Sequence, residues 1–232
     1  MSARVVVCDT ETTGLHFNDG DRLIEIGAVE VIDRRKSQNT FQSYVNPEGK
    51  EISEGAKAIT NISDKELLKA PKFSEVADQF LDFIKGAEVV FHNAQFDVGF
   101  INNELTLMGH KITDIRDICT VFDNLMLARK IFPGQKNSLD ALSKRLEITG
   151  YDRTYHGALL DSEILADVYL NLTGGQVRLE LNSTEKKPDD KEEIEQNIDF
   201  KVRAITVGDE ELELHNNFLE ALSKKSGGNI NW

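Results

Sequence analysis

Two cysteines, Cys8 and Cys119, are all that 232 residues contain. Two thiols exclude a disulfide framework, and both sit among apolar neighbours, so buried free thiols are expected. No apolar run approaches the roughly 20 residues that span a bilayer. The opening Met1-Ser2-Ala3-Arg4 leads straight into Val5-Val6-Val7-Cys8 without a signal-peptide cleavage pattern, so a cytoplasmic protein with no membrane partner is expected. Positive charge is also scarce: 27 Lys and Arg face 40 Asp and Glu, a net charge of −13. Such a surface excludes nucleic-acid binding by general counterion release. Handling of nucleic acid would have to be local, through metal ions, or on a partner that holds the substrate. There is no Gly-rich phosphate loop, no zinc-type spacing and no serine in a nucleophile-elbow setting.

Apolar residues make up 40% and charged residues 29% of the chain, enough to bury a core without staples. Residues 1–176 alternate apolar strands with amphipathic helices. Strands are expected at Arg4–Cys8, Arg22–Ile32 and Thr40–Val45, the last two joined by a polar turn over Asp33–Asn39, then at Glu88–Phe91 and Arg116–Thr120. Helices are expected at Phe73–Lys85, Phe96–Met108, Val121–Lys130, Ser138–Leu146 and Gly157–Leu172. This order predicts an α/β fold, a mixed five-stranded sheet flanked by helices. Residues 182–197 hold one apolar residue, Ile194, and read as a flexible linker spanning about 20–24 Å. The segment 198–232 regains Phe200, Val202, Ile205 and Val207 and a short helix from Glu210 to Ser223; too small to fold alone, it reads either as a frayed tail or, the reading favoured, as a tether that folds against a partner.

Several acids stand where apolar residues belong. On a strand, Val5, Val7, Asp9 and Glu11 share one face, so two carboxylates end an apolar row, although an Asp9 cap on the turn that follows is an equally good account of that residue alone. Asp97 begins the helical stripe Asp97, Phe100, Ile101, Glu104, Leu105, Met108, where an ordinary N-terminal cap is an equally good account. Asp161 lies one turn inside a helix in line with Leu165, Val168 and Leu172, and a buried carboxylate there has to be neutral, paired or metal-bound. His156 precedes that helix by one loop. If they converge, the acids form a hard oxygen site for Mg²⁺ or Mn²⁺. That in turn suggests phosphoryl chemistry.

Asp9-Thr10-Glu11-Thr12-Thr13-Gly14-Leu15, His92-Asn93-Ala94-Gln95-Phe96-Asp97 and His156-Gly157-Ala158-Leu159-Leu160-Asp161 resemble the three exonuclease motifs of the DEDDh family, in order and at family spacing. The stretch Leu159–Gln176 and the tail from Phe200 resemble the members that proofread for bacterial replicative polymerases. The resemblance implies an RNase H-like fold and a 3′→5′ exonuclease that uses two divalent metal ions, Mg²⁺ or Mn²⁺. Asp9, Glu11 and Asp161 would hold the ion that binds the attacking water, Asp9 would bridge to the second ion, Asp97 would support it, and His156 would be the general base. Thr10, Gly14 and Leu15, with Asp9, Glu11 and Asp161, would line the path of the 3′ nucleotide. Where the family carries a His-Gly pair this chain has Thr60-Asn61, which places Thr60 and the nearby Glu54 at that nucleotide. The implied partners are a single-stranded or frayed DNA 3′ end, the polymerase subunit through the tail, a sliding clamp through Gln176, Leu179 and Leu181, and a small accessory subunit. The domains expected are 1–176 for the exonuclease, 177–197 for the clamp peptide and linker, and 198–232 for the polymerase-binding tail.

Overall fold

The computed structural model describes residues 4–152 and 154–174, with Glu213 and Asn217 beyond them. The chain partitions into two units, Met1–Leu179 and Glu180–Trp232; in the second, Glu213 and Asn217 are helical and exposed. Gln176, Leu179, Leu181 and nearly all of the linker and tail lie outside the described residues.

The first unit is built on five strands: β1 (Arg4–Thr12), β2 (Leu23–Ile32), β3 (Arg35–Tyr44), β4 (Glu88–Phe91) and β5 (Thr120–Asp123). Their order is β3-β2-β1-β4-β5. The β1–β2 and β2–β3 pairs are antiparallel, while β1–β4 and β4–β5 are parallel. The mixed sheet expected from the element order is therefore present. β1 is its centre, which explains why Val5-Val6-Val7-Cys8 is apolar without alternation: both faces are covered.

One face packs Val6, Cys8, Ile26 and Ala28 against α3 (Phe73–Ile84) and α4 (Ala94–Leu107). The other face packs Val5, Val7, Val31 and Val90 against α5 (Asn124–Ile131), α6 (Leu139–Arg145) and α7 (Ala158–Gly174). Helix α3 buries Phe73, Val76, Ala77, Phe80, Leu81 and Ile84, the i, i+3, i+4 stripe of an amphipathic helix. Its start is closed by the Glu75 carboxylate, which accepts the Lys72 N–H at 2.8 Å. Both cysteines are buried and free, and burial raises both thiols above their usual range.

The structure departs from the expected elements in three places. β3 starts at Arg35 rather than Thr40, because Asp33 and Arg34 take positive φ (48° and 63°) and close a two-residue hairpin; the polar residues 35–39 are edge strand, not turn. The fifth strand runs over Thr120–Asp123 rather than Arg116–Thr120. Asp114 accepts the Arg116 N–H at 2.9 Å and winds Ile115–Asp117 into a 3₁₀ turn first. Two short helices, α1 (Glu54–Thr60) and α2 (Asp64–Leu67), were not anticipated. Each begins at a serine: Ser53 accepts the Ala56 N–H, and Ser63 with Glu66 forms a capping box. Neither carries a long apolar stripe, so periodicity misses them.

Candidate active site

The site lies at the C-terminal ends of β1 and β4, where the helices that follow strands in open α/β sheets present their first turns. β1 carries Asp9 and Glu11 on the face that holds Val5 and Val7, the face covered by α7. Across the ladder, Asp9 pairs with Gly27 and Glu11 with Glu25. Asp161 stands in the first turn of α7, only 2% exposed, in line with the buried Leu165 and Val168.

His156 and Asp161 meet: Nδ1 of His156 is 3.1 Å from Oδ2 of Asp161. Ligand atoms of Glu11, His156 and Asp161 all lie within 4.8 Å of one another, the one such group among the described residues. Two stretches of chain, the end of β1 and the loop that runs into the first turn of α7, thus converge. Asp9 and Asp97 are not members of that tight group. Both lie close enough to Cys8 for their charges to raise its thiol further, after burial.

Asp97 comes from the first turn of α4, 3% exposed. Its Oδ1 accepts the Thr10 hydroxyl at 2.7 Å, so the residue after Asp9 anchors it. Burial pushes the Asp97 carboxyl up to about 7; hydrogen bonds from the Thr10 hydroxyl and from the backbone of Asp97 and Thr10 oppose the rise, and the charge of Asp123 adds to it. A carboxyl poised in this way favours its charged form once a cation is near.

Beside the cluster opens a cleft of about 380 Å³ lined by Thr10, Glu11, Gly14, Leu15 and Thr60 among others, with His156 in its wall. That volume suits a small ligand. Leu15 (71% exposed) and Ile59 (49%) offer apolar surface at its mouth, and Ala56 and Phe96 line it. Thr60 is buried; its hydroxyl donates to the Ala56 carbonyl at 2.9 Å. Glu54 is not among the lining residues; it is exposed and pairs with Lys57 at 3.4 Å. Gly14 has a reason of its own to lack a side chain, because a Cβ there would overlap the carboxylate of Asp21. A larger depression of about 450 Å³ holds Arg22, Glu48, Lys72 and Glu104, whose charges satisfy one another in ion pairs of 2.7–3.2 Å, and no chemistry is left over.

Sequence reasoning overlooked Glu25, α1 and Asp123. Glu25 is buried in the otherwise apolar Leu23-Ile24-Glu25-Ile26, the same signal that singled out Asp161. Burial raises its carboxyl above the usual range, against hydrogen bonds from Gln42 and the Ala158 N–H, with Asp161's charge adding. Asp123 ends β5 and accepts N–H groups from the starts of two helices, Ala94 at 3.2 Å and Met126 at 3.1 Å.

A family model described as an exonuclease (RNase_T) matches residues 6–169. The DNA polymerase III subunit epsilon of Escherichia coli K12 is 44% identical, the alignment covering 99% of this chain and 97% of the relative. That of Haemophilus influenzae is also 44% identical, covering 99% and 94%. Among solved structures, exonuclease X in complex with 5′ overhanging duplex DNA is 27% identical with a TM-score of 0.57, covering 73% of this chain and 91% of the other. The nuclease domain of 3′hExo, a DEDDh family member bound to rAMP, shares the fold at 19% identity and a TM-score of 0.61, covering 75% and 92%.

Proposed function

The chain belongs to the exonuclease family of bacterial DNA polymerase III epsilon subunits, and from that premise we propose that it removes misincorporated nucleotides from a DNA 3′ end by two-metal hydrolysis with His156 as general base. The observation that carries the reading is the convergence of Glu11, His156 and the buried Asp161 within 4.8 Å. A scaffold that merely joined two proteins would gain nothing from such a costly arrangement of charge.

The acids suit a hard divalent ion, with oxygen donors and no thiolate, and the imidazole beside them is left for proton transfer. Asp9, Glu11, Asp97 and Asp161 are the residues that would hold Mg²⁺ or Mn²⁺. Such ions, when bound, acidify the attacking water and stabilise the charge that grows on the phosphate. The protein's own part is separate. His156 Nδ1 lies 3.1 Å from Asp161 Oδ2, which leaves Nε2 as the nitrogen that would take the proton from the attacking water. Thr10 orients Asp97, and Leu15 and Ile59 offer apolar surface to the terminal base. Thr60 and Glu54 would stand at the wall and rim of the 3′-nucleotide cleft.

The net charge of −13 leaves little affinity for duplex DNA, so tethering is part of the function. Gln176, Leu179 and Leu181 would bind a sliding clamp as an extended peptide. Residues 177–197 would act as the linker, and 198–232 would dock on the polymerase alpha subunit; a small theta-like subunit would complete the assembly in the cytoplasm. The test is hydrolysis of a 3′-mispaired primer in Mg²⁺ or Mn²⁺: the chain is expected to release nucleoside monophosphates from the 3′ end. Full-rate hydrolysis by Asp9→Ala would contradict the site. A faster rate on RNA than on DNA would make it an RNA-trimming enzyme instead.

A further inference from the structure

We propose that Glu25 is a positioning residue: its carboxylate, reaching across from β2, caps the first turn of α7 and so brings His156 and Asp161 to Glu11. The proposal rests on the metal-nuclease reading above and adds to it a residue outside the three motifs.

A helix leaves its first N–H groups without intrahelical partners, and a side chain at the N-cap normally accepts one of them. The residue before α7 is Gly157, which has no side chain to offer. Glu25 supplies the acceptor from 133 positions away: one oxygen takes the Ala158 N–H at 3.1 Å, and the other takes the Gln42 amide at 2.8 Å. A carboxylate at a helix N-terminus is also favoured by the helix dipole.

The position is an unusual one for a purely structural acid. Glu25 lies directly opposite Glu11 in the antiparallel ladder, where like charges destabilise, and it is 1% exposed, where a carboxylate is costly. Two residues on, Gly27 shares its face. A Cβ at Gly27 would overlap the Ala158 carbonyl carbon and the Leu159 nitrogen. The Gly27 carbonyl accepts the Ser162 hydroxyl at 2.9 Å. β2 therefore grips α7 at Ala158 and at Ser162, on either side of Asp161. His156 is two residues before the first grip, its own N–H donated to the Ile59 carbonyl at 2.9 Å. A first turn that drifts from β2 carries both His156 and Asp161 with it, although Glu25 touches no reacting atom.

The full chain with Glu25→Ala and with Glu25→Gln tests this by amide exchange, by Mn²⁺ binding followed through the EPR signal of free ion, and by kcat and KM on a single-stranded oligonucleotide. In Glu25→Ala, exchange at Ala158 should rise at least about tenfold while Leu165, in the middle of α7, is unchanged. Mn²⁺ affinity should fall about 10–100-fold. The oligonucleotide should lose kcat with KM within about threefold. Glu25→Gln keeps an oxygen for the Ala158 N–H and should recover Mn²⁺ affinity to within about fivefold of wild type. Unchanged Ala158 exchange and Mn²⁺ affinity in Glu25→Ala, or a Glu25→Gln as impaired as Glu25→Ala, overturns the proposal. Where Glu25→Ala does not fold, Gln42→Ala carries the test. It releases the second oxygen of Glu25 and should weaken Mn²⁺ binding at least about threefold; no change overturns the role. A wild-type chain that binds no Mn²⁺ at all contradicts the metal reading itself, and the proposal with it.

Discussion

Asp97→Asn should make the metal-free protein more stable, and increasingly so as the pH rises. Burial pushes the Asp97 carboxyl from 3.8 up to about 7 in the folded chain. A group that holds its proton more tightly when folded contributes stability below its unfolded pKa and loses that contribution as pH climbs through the folded one, so the penalty develops between about pH 4 and pH 7. Over the whole window it amounts to about 4 kcal/mol, and about 2–3 kcal/mol of that falls between pH 5 and pH 7.5. Only 3% of Asp97 is exposed, so little of this is lost to solvent screening. Asparagine carries no charge and keeps an oxygen for the Thr10 hydroxyl. Urea melts of wild type and Asp97→Asn in EDTA at the two pH values measure the effect of the Asp97 charge together with its coupling to Asp123. The stability gap in favour of Asp97→Asn should widen by about 2–3 kcal/mol at the higher pH, or about 5–10 °C in Tm. Millimolar Mn²⁺ at pH 7.5 should then stabilise wild type more than the variant, since a cation favours the charged carboxylate. A gap that stays constant with pH would refute the reasoning.

His156→Ala should leave Mn²⁺ binding nearly intact while cutting turnover by about 10²–10⁴-fold; a collapse of Mn²⁺ affinity in a binding titration would argue against the base. Removing residues 198–232 should spare hydrolysis of free oligonucleotides and abolish co-purification with the polymerase subunit, and an unchanged pull-down would contradict the tether. Gly27→Ala should cost more than about 3 kcal/mol in a denaturant melt, since the new Cβ overlaps backbone rather than a movable side chain; a neutral substitution would mean that α7 is not held against β2 as described.

Much of the site could be read from residue order because it breaks local rules. Asp161 in an apolar helical stripe and Asp9 and Glu11 at the end of an apolar strand are visible to periodicity alone, and all three take the positions their spacing implies. Glu25 breaks the same rule, yet a single acid inside a long strand looks like solvent-facing alternation until β2 is seen to be covered on both sides. Its partner, the Ala158 N–H, is a long-range contact that no local pattern encodes. Helix α1 was hidden for a different reason: it buries Thr60 alone, so its existence depends on the Ser53 cap and on packing rather than on an apolar stripe. The two misplaced strand boundaries, at Arg35 and Thr120, were decided by turn chemistry at Asp33-Arg34 and Asp114, which hydrophobic patterning does not register.

The central claim is that acids from separate elements share divalent ions. Titration of Mn²⁺ into the wild-type chain and into Asp161→Asn, with free ion counted by EPR, tests it most directly. Saturable binding by wild type that weakens at least about tenfold in Asp161→Asn is the predicted result; equal affinity in the two proteins, or no saturable binding in either, would contradict the account.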